Sequence, residues 1–195
     1  MPRAGLSTDV VVAEAARLVD DEGAQALTLS ALAQRFGVAQ PSLYKHVAGL
    51  DDLHGRLAVL ATRDLGAAMR RAASGRSGAE ATAAVAVAYR DHAREHPGTY
   101  AYLLRPRADD PRHAEAAQEV LDVLADVLAS YGIERDEAVQ RAAQEPHRVD
   151  QVALALELAG GFAMARSTDA TFDALVAGLD RALAGWADAV PGRHP

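Results

Sequence analysis

The sequence predicts an all-α protein: an N-terminal three-helix domain with a helix-turn-helix, followed by a larger helical domain. Three observations carry this reading. Half of the 195 residues are hydrophobic and alanine is abundant, a composition suited to helices around a sizeable core. Residues 79–190 repeat apolar side chains at three- and four-residue spacing and show no strand-like alternation of useful length. Residues 27–50 contain two short helical patterns around a glycine, the arrangement of a helix-turn-helix.

The first helix is expected over 8–22. Ser7 or Thr8 can cap it, Val11, Val12, Ala15, Ala16, Leu18 and Val19 give it an apolar face, and Gly23 stops it. Its task is to brace the helix-turn-helix. The next helix starts after Thr28, whose hydroxyl can accept a free backbone N–H. Gly37 ends it, because glycine takes the left-handed conformation most easily. Pro41 falls in the first turn of the following helix, where its missing N–H costs nothing. Small Ala33 allows close approach, and Leu32, Phe36, Val38 and Leu43 fill the angle between the two helices. With Leu43 turned inward, Gln40, Ser42, Tyr44, Lys45 and His46 are left outside. Gln can pair with adenine and Ser with a base or phosphate, whereas Tyr, Lys and His suit phosphate oxygens. A small surface helix with a partly buried Tyr44 is the plainer alternative.

Residues 8–60 resemble the DNA-binding domain of the TetR (tetracycline repressor) family, most closely along Gln40-Pro41-Ser42-Leu43-Tyr44-Lys45-His46-Val47. The resemblance implies base or base-proximal contacts from Gln40, Pro41 and Ser42, and phosphate contacts from Thr28, Tyr44 and His46. Ser30 stands where the family pattern has a guanine-reading arginine, and Leu50 where it has a phosphate-binding lysine. Lys45 replaces a tryptophan and restores one basic group. A different operator is implied.

A fourth helix is expected from Asp51, as cap, to about Arg71, with Asp52 favourable in its first turn. The domains are therefore read as 1–50 and 51–195, with helix 51–72 connecting them; the resemblance implies that its tilt is the lever between them. Ser74-Gly75-Arg76-Ser77-Gly78 reads as a flexible break. Beyond it, helices are expected over 79–96, ended by Pro97-Gly98, over Thr99 to Leu104, ended by Pro106, and over Pro111 to Tyr131, stopped by Gly132. Another begins near Glu134, and two strongly apolar ones follow at 147–165 and 169–189. His96-Pro97-Gly98-Thr99-Tyr100 and Leu156-Glu157-Leu158-Ala159-Gly160-Gly161-Phe162 resemble a TetR subgroup with a W-H-G type C-terminal domain. Unlike that subgroup, the chain carries Pro146 within a polar run, which should break or kink a helix there.

Composition bounds the function. The formal net charge is −7, with four cations against five anions in residues 1–50 and the remaining −6 beyond them. Asp20, Asp21 and Glu22 cluster at the end of the first helix. So modest a basic count predicts moderate non-specific DNA affinity per subunit, which makes dimerisation matter. The absence of cysteine excludes disulfides, thiolate metal sites and cysteine nucleophiles. No apolar run approaches the roughly 18 residues of a membrane span, and the N-terminus lacks a signal-peptide core. A cytoplasmic protein without membrane contact is expected.

Other constellations in the sequence have plainer readings beside them. His92-Ala93-Arg94-Glu95-His96 matches an H-x-x-E-H zinc pattern, but a solvated last helical turn explains it more simply. No cofactor, metal or catalytic residue is expected, and a metal-binding protein or metalloenzyme using His92, Glu95 and His96 is the rival reading. Tyr89, Tyr100, Tyr102, Leu103, Phe162 and Met164 are candidates for a small-molecule cavity, each of them equally explicable as core. The last two helices should pair antiparallel. Val152, Leu156, Ala159, Gly160, Phe172, Leu175, Leu179 and Leu183 would then form a homodimer interface, closed as a two-fold four-helix bundle. The function expected is a ligand-responsive transcriptional repressor reading a palindrome in double-stranded DNA, its small-molecule effector unidentified.

Overall fold

The computed structural model describes residues 6–103, 110–134 and 168–188. Among these every regular element is helical, in keeping with the fold class expected. They are α1 (Thr8–Glu22), α2 (Leu29–Phe36), α3 (Leu50–Ala73), α4 (Gly78–Glu95), α5 (Pro97–Leu103), α6 (Pro111–Ala129) and α7 (Thr168–Asp188). Two short 3₁₀ pieces, Ala24–Ala26 and Gln40–Lys45, fall between α1 and α2 and between α2 and α3. The expected helix near Glu134, the kink at Pro146, the helix over 147–165 and the stop at Pro106 lie outside the described residues.

The chain divides into two compact units, residues 1–64 with 95–118, and residues 65–94 with 119–195. The core of the first is built from the inward faces of α1, α2 and α3. Val11, Ala15, Leu18, Val19, Leu32, Leu43, Leu53 and Leu57 are almost wholly buried there. Tyr102 of α5 belongs to the same core and meets the His54 ring edge-on, with centroids 5.5 Å apart. Burying such side chains stabilises the unit by about 1.5–3 kcal/mol each.

In the second unit, Tyr131 follows the end of α6 and donates its phenol proton to Asp180 of α7 at 2.7 Å, with Thr82 of α4 at 2.8 Å. Burial pushes its phenol up to about 12. The Arg90 guanidinium of α4 lies over the Phe172 ring, 4.5 Å from its centroid.

Several boundaries differ from the expectation, each for a local reason. Asp51 does not cap α3, which already begins at Leu50; instead Asp52 reaches back to accept the Ala48 N–H at 3.0 Å. Pro97-Gly98 does not merely stop α4 but opens α5, since proline fits a first helical turn. Finally, α6 ends at Ala129, and Ser130 and Tyr131 form the turn before Gly132.

Candidate nucleic-acid interface

The interface is assembled from α2, the turn after it and the piece that follows. Thr28 has an extended backbone and its hydroxyl accepts the Ala31 N–H at 3.0 Å, fixing the start of α2. A hydroxyl that accepts in this way keeps its own proton as a donor. Gly37 closes α2 at φ 64° and ψ 35°, the left-handed cap that only glycine takes without strain. The Val38 N–H returns to the Ala33 carbonyl at 3.0 Å and fixes the turn.

The recognition segment Gln40–Lys45 is a run of 3₁₀ turns where the sequence suggested an ordinary helix. Its bonds span three residues, Ser42 N–H to Ala39 O at 2.9 Å and His46 N–H to Leu43 O at 2.9 Å. Proline at 41 removes one donor, and six residues give the wider helix little room to propagate. Leu43 is the anchor: its side chain is wholly buried between α2 and α3. Gln40, Pro41 and Lys45 are exposed, as are Thr28 and Ser30, and Ser42 and His46 are half-buried. Tyr44 is 54% exposed, a large aromatic ring left in solvent. The residues proposed from sequence for DNA therefore lie in residues 28–46, exposed or half-buried between the buried positions Leu29, Leu32, Ala33 and Leu43.

Two features brace this segment. Thr8, at the start of α1, donates its hydroxyl proton to the His46 carbonyl at 2.9 Å. Arg35, at the end of α2, is held by Glu14 at 2.9 Å and Glu22 at 2.6 Å, with Asp21 at 3.9 Å. Its charge is thereby turned onto α1. The hydrogen bonds it donates to Glu22 and Glu14 raise the affinity of that guanidinium for its proton.

At the opposite end of α1 lies a seam that no sequence pattern announced. Gly98 of α5 rests against the backbone of Val19 and Asp20 so closely that a Cβ there would overlap the Val19 carbonyl. Asp20 accepts the Thr99 N–H at 2.7 Å and the Thr99 hydroxyl at 3.2 Å, and meets His96 Nδ1 at 3.0 Å. A third link joins the starts of α3 and α6. Arg112 binds Asp110 at 2.7 Å and reaches Asp52 at 3.7 Å, while Asp52 also holds Arg56 at 2.9 Å. The hydrogen bond from Arg112 holds the Asp110 carboxyl down at about 2.

The remaining sequence candidates are dispersed. His92 is buried within α4, whereas His96 lies beyond its last residue, Glu95, and turns to Asp20, so the two do not share a helical face. Among the described residues no three His, Cys, Asp or Glu side chains come together as a metal site. Tyr100 and Tyr102 are buried, Leu103 is half-buried in the first unit, and Tyr89 is half-buried in the second. Phe162 and Met164 lie outside the described residues. Of the interface candidates, Phe172 and Leu183 are already covered within the chain, and Leu175 and Leu179 are half-buried. Val152, Leu156, Ala159 and Gly160 lie outside the described residues. No helix of the described residues is long and apolar enough to cross a membrane.

Comparison with known proteins matches two successive stretches of the chain. Residues 11–53 fit the model of bacterial regulatory proteins of the tetR family, and residues 82–179 fit that of the tetracyclin repressor-like C-terminal domain. The HTH-type transcriptional regulator Rv0681 of Mycobacterium tuberculosis is 35% identical over 141 residues, 71% of this chain. That alignment spans 65% of the relative's own length. A protein of Rhodococcus sp. RHA1 has a similar fold, with a TM-score of 0.70, 22% identity, and coverage of 95% of this chain and 98% of its own. The TetR family protein ActR of Streptomyces coelicolor, solved in complex with (S)-DNPA, has a TM-score of 0.59 at 19% identity, covering 94% of this chain and all of its own.

Proposed function

Because the chain belongs to the tetR family of DNA-binding bacterial transcriptional regulators, we propose that it is a cytoplasmic, ligand-responsive repressor that binds a palindromic operator as a homodimer. The observation that carries this is the recognition segment: Leu43 is wholly buried while Gln40, Pro41, Tyr44 and Lys45 stand exposed beside it. A buried anchor with polar neighbours in solvent is what a major-groove reader needs. Gln40 and Ser42 read bases; Tyr44, Lys45, His46 and Thr28 hold phosphates, with Ser30 beside them at the start of α2. Two such segments, related by a two-fold axis, would engage successive major grooves.

The body supplies the dimer and the response. Leu175 and Leu179 of α7, with Val152, Leu156, Ala159 and Gly160, form the proposed pairing face. Tyr89, Tyr100, Tyr102, Leu103, Phe162 and Met164 remain the candidates for ligand contact, although the place of Tyr102 in the DNA-side core suits a packing role better. Support for a small-molecule effector comes from the fold shared with ActR, which was solved with (S)-DNPA. An effector acts by binding one of two states more tightly, and a coupling of about 1–3 kcal/mol would change operator affinity roughly 5- to 150-fold.

The test is selection of duplexes from a random pool by the full-length protein, followed by anisotropy titration at two salt concentrations. A palindromic consensus bound by one dimer is the expected result. Recovery of unrelated sequences, with weak binding abolished by salt, would overturn the reading.

A further inference from the structure

The two ends of α1 are tied to different things. At one end Thr8 Oγ1 donates to the carbonyl of His46, the residue that closes the recognition segment, at 2.9 Å. At the other, Asp20 accepts both the backbone N–H and the hydroxyl of Thr99, the third residue of α5, and Gly98 sits directly on the Val19–Asp20 backbone. Between these fixings α1 runs about 18 Å at 1.5 Å per residue. It is seated by Val11, Val12, Ala15, Leu18 and Val19, all buried. Close-packed interiors shift between discrete arrangements and do not bend continuously, so a helix seated in this way moves as one piece.

We propose that α1 is a strut that carries the position of α5 to the recognition segment, with the Asp20–Thr99 bonds and the Thr8–His46 bond as its two fixings. Asp20 and Thr8 are then positioning residues for DNA binding, acting through α1 and touching no base. Every contact involved lies within the first compact unit. The backbone contact at Gly98 gives the α5 end its stiffness: a displacement of Pro97–Thr99 has no side chain to absorb it and is passed to α1. At the far end, the Thr8 hydroxyl holds a main-chain carbonyl, so the pull falls on the chain path leaving the recognition segment. The strut rests on the DNA-reading function proposed above.

Linkage makes the strut testable, because coupling between two sites is reciprocal. Amide hydrogen exchange at Thr99 reports directly on its bond to Asp20. It is measured in the full-length protein, free and bound to a duplex the protein has itself selected from a random pool. The strut predicts that the duplex slows exchange at Thr99 by about 5-fold or more. Thr8→Val should remove that slowing while leaving exchange in the free protein unchanged, and Thr8→Ser, which keeps the hydroxyl, should restore it. A duplex that binds selectively without slowing Thr99, or slowing that survives Thr8→Val, overturns the strut and leaves the DNA reading intact. If Thr8→Val disturbs the free protein, Asp20→Asn serves instead. It should speed exchange at Thr99 and weaken the selected duplex, and unchanged affinity would overturn the proposal. Failure to select any duplex overturns the DNA reading, and the strut falls with it.

Discussion

On its α5 side, the first unit satisfies its polar groups internally: Asp20 takes three contacts from Thr99 and His96, and Gly98 meets backbone directly. On the side of Gln40, Tyr44 and Lys45, polar and aromatic groups stand in solvent around one buried leucine. The same unit thus holds a seam that is complete as it stands and a face that looks incomplete without a partner. Internal polar contacts between elements serve stability and position; exposed ones on a rigid scaffold serve recognition. Mutations on the two sides should separate accordingly.

The largest effect belongs to the seam. Gly98→Ala should destabilise the protein by about 3 kcal/mol, since the new methyl group overlaps main chain that cannot rotate away; denaturant unfolding measures it, and an unchanged midpoint would mean that the seam is looser than described. Next comes Gln40→Ala, which should leave the unfolding midpoint alone and flatten base preference at one operator position by about 1–3 kcal/mol, read by titration against single-base variants. Thr28→Ala crosses the two sides, because that hydroxyl caps α2 and also faces outward; about 1 kcal/mol of stability should be lost. Lys45→Ala should weaken all duplexes alike and lower the slope of log affinity against log salt by about 0.9.

The smallest effects are electrostatic and set the two units apart by pH. Asp110 is held at about 2 by Arg112, against 3.8 for the ordinary carboxyl, so its contribution is whole above 3.8 and lost as pH falls through 2. Tyr131 runs the other way. Burial raises its phenol from 10 to about 12, so its contribution is whole below 10 and lost as pH rises through 12. Acid titration of unfolding should lose its Asp110 component in an Asp110→Asn variant, and alkaline titration its Tyr131 component in Tyr131→Phe.

What could be read from sequence was what is local. The span of α1, the Thr28 cap, the Gly37 stop and the inward turn of Leu43 all depend on residues within a few positions of one another, and all appear in the structure. The tighter winding of Gln40–Lys45 was not legible, because the choice between the two windings rests on hydrogen bonds that residue spacing does not reveal. The seam was illegible for another reason. Asp20 and Thr99 are 79 positions apart, and each taken alone has an ordinary local explanation, one as an acidic helix end and the other as the start of a short helix. The acidic cluster of residues 20–22 shows in the sequence only as a charged helix end, yet Asp20 fixes α5 and Glu22 holds Arg35. Tyr102 suits a ligand wall or a core equally on sequence, since an aromatic at helical spacing cannot be assigned to one or the other before the helices are placed. Domain limits drawn from the chain order put α5 with the body; the contacts put it with the reading head.

Arg35 bears finally on how a molecule of this kind would find its target in a cell. With that guanidinium clamped by Glu14 and Glu22, the recognition segment carries Lys45 as its own exposed basic side chain. Sliding along a chromosome relies on contacts that any phosphate can satisfy, and the clamp withholds one of them. A regulator with one such contact withheld would slide less and spend more of its search in free diffusion. At a preferred sequence, contacts to the bases would then add to the few phosphate contacts that hold it there.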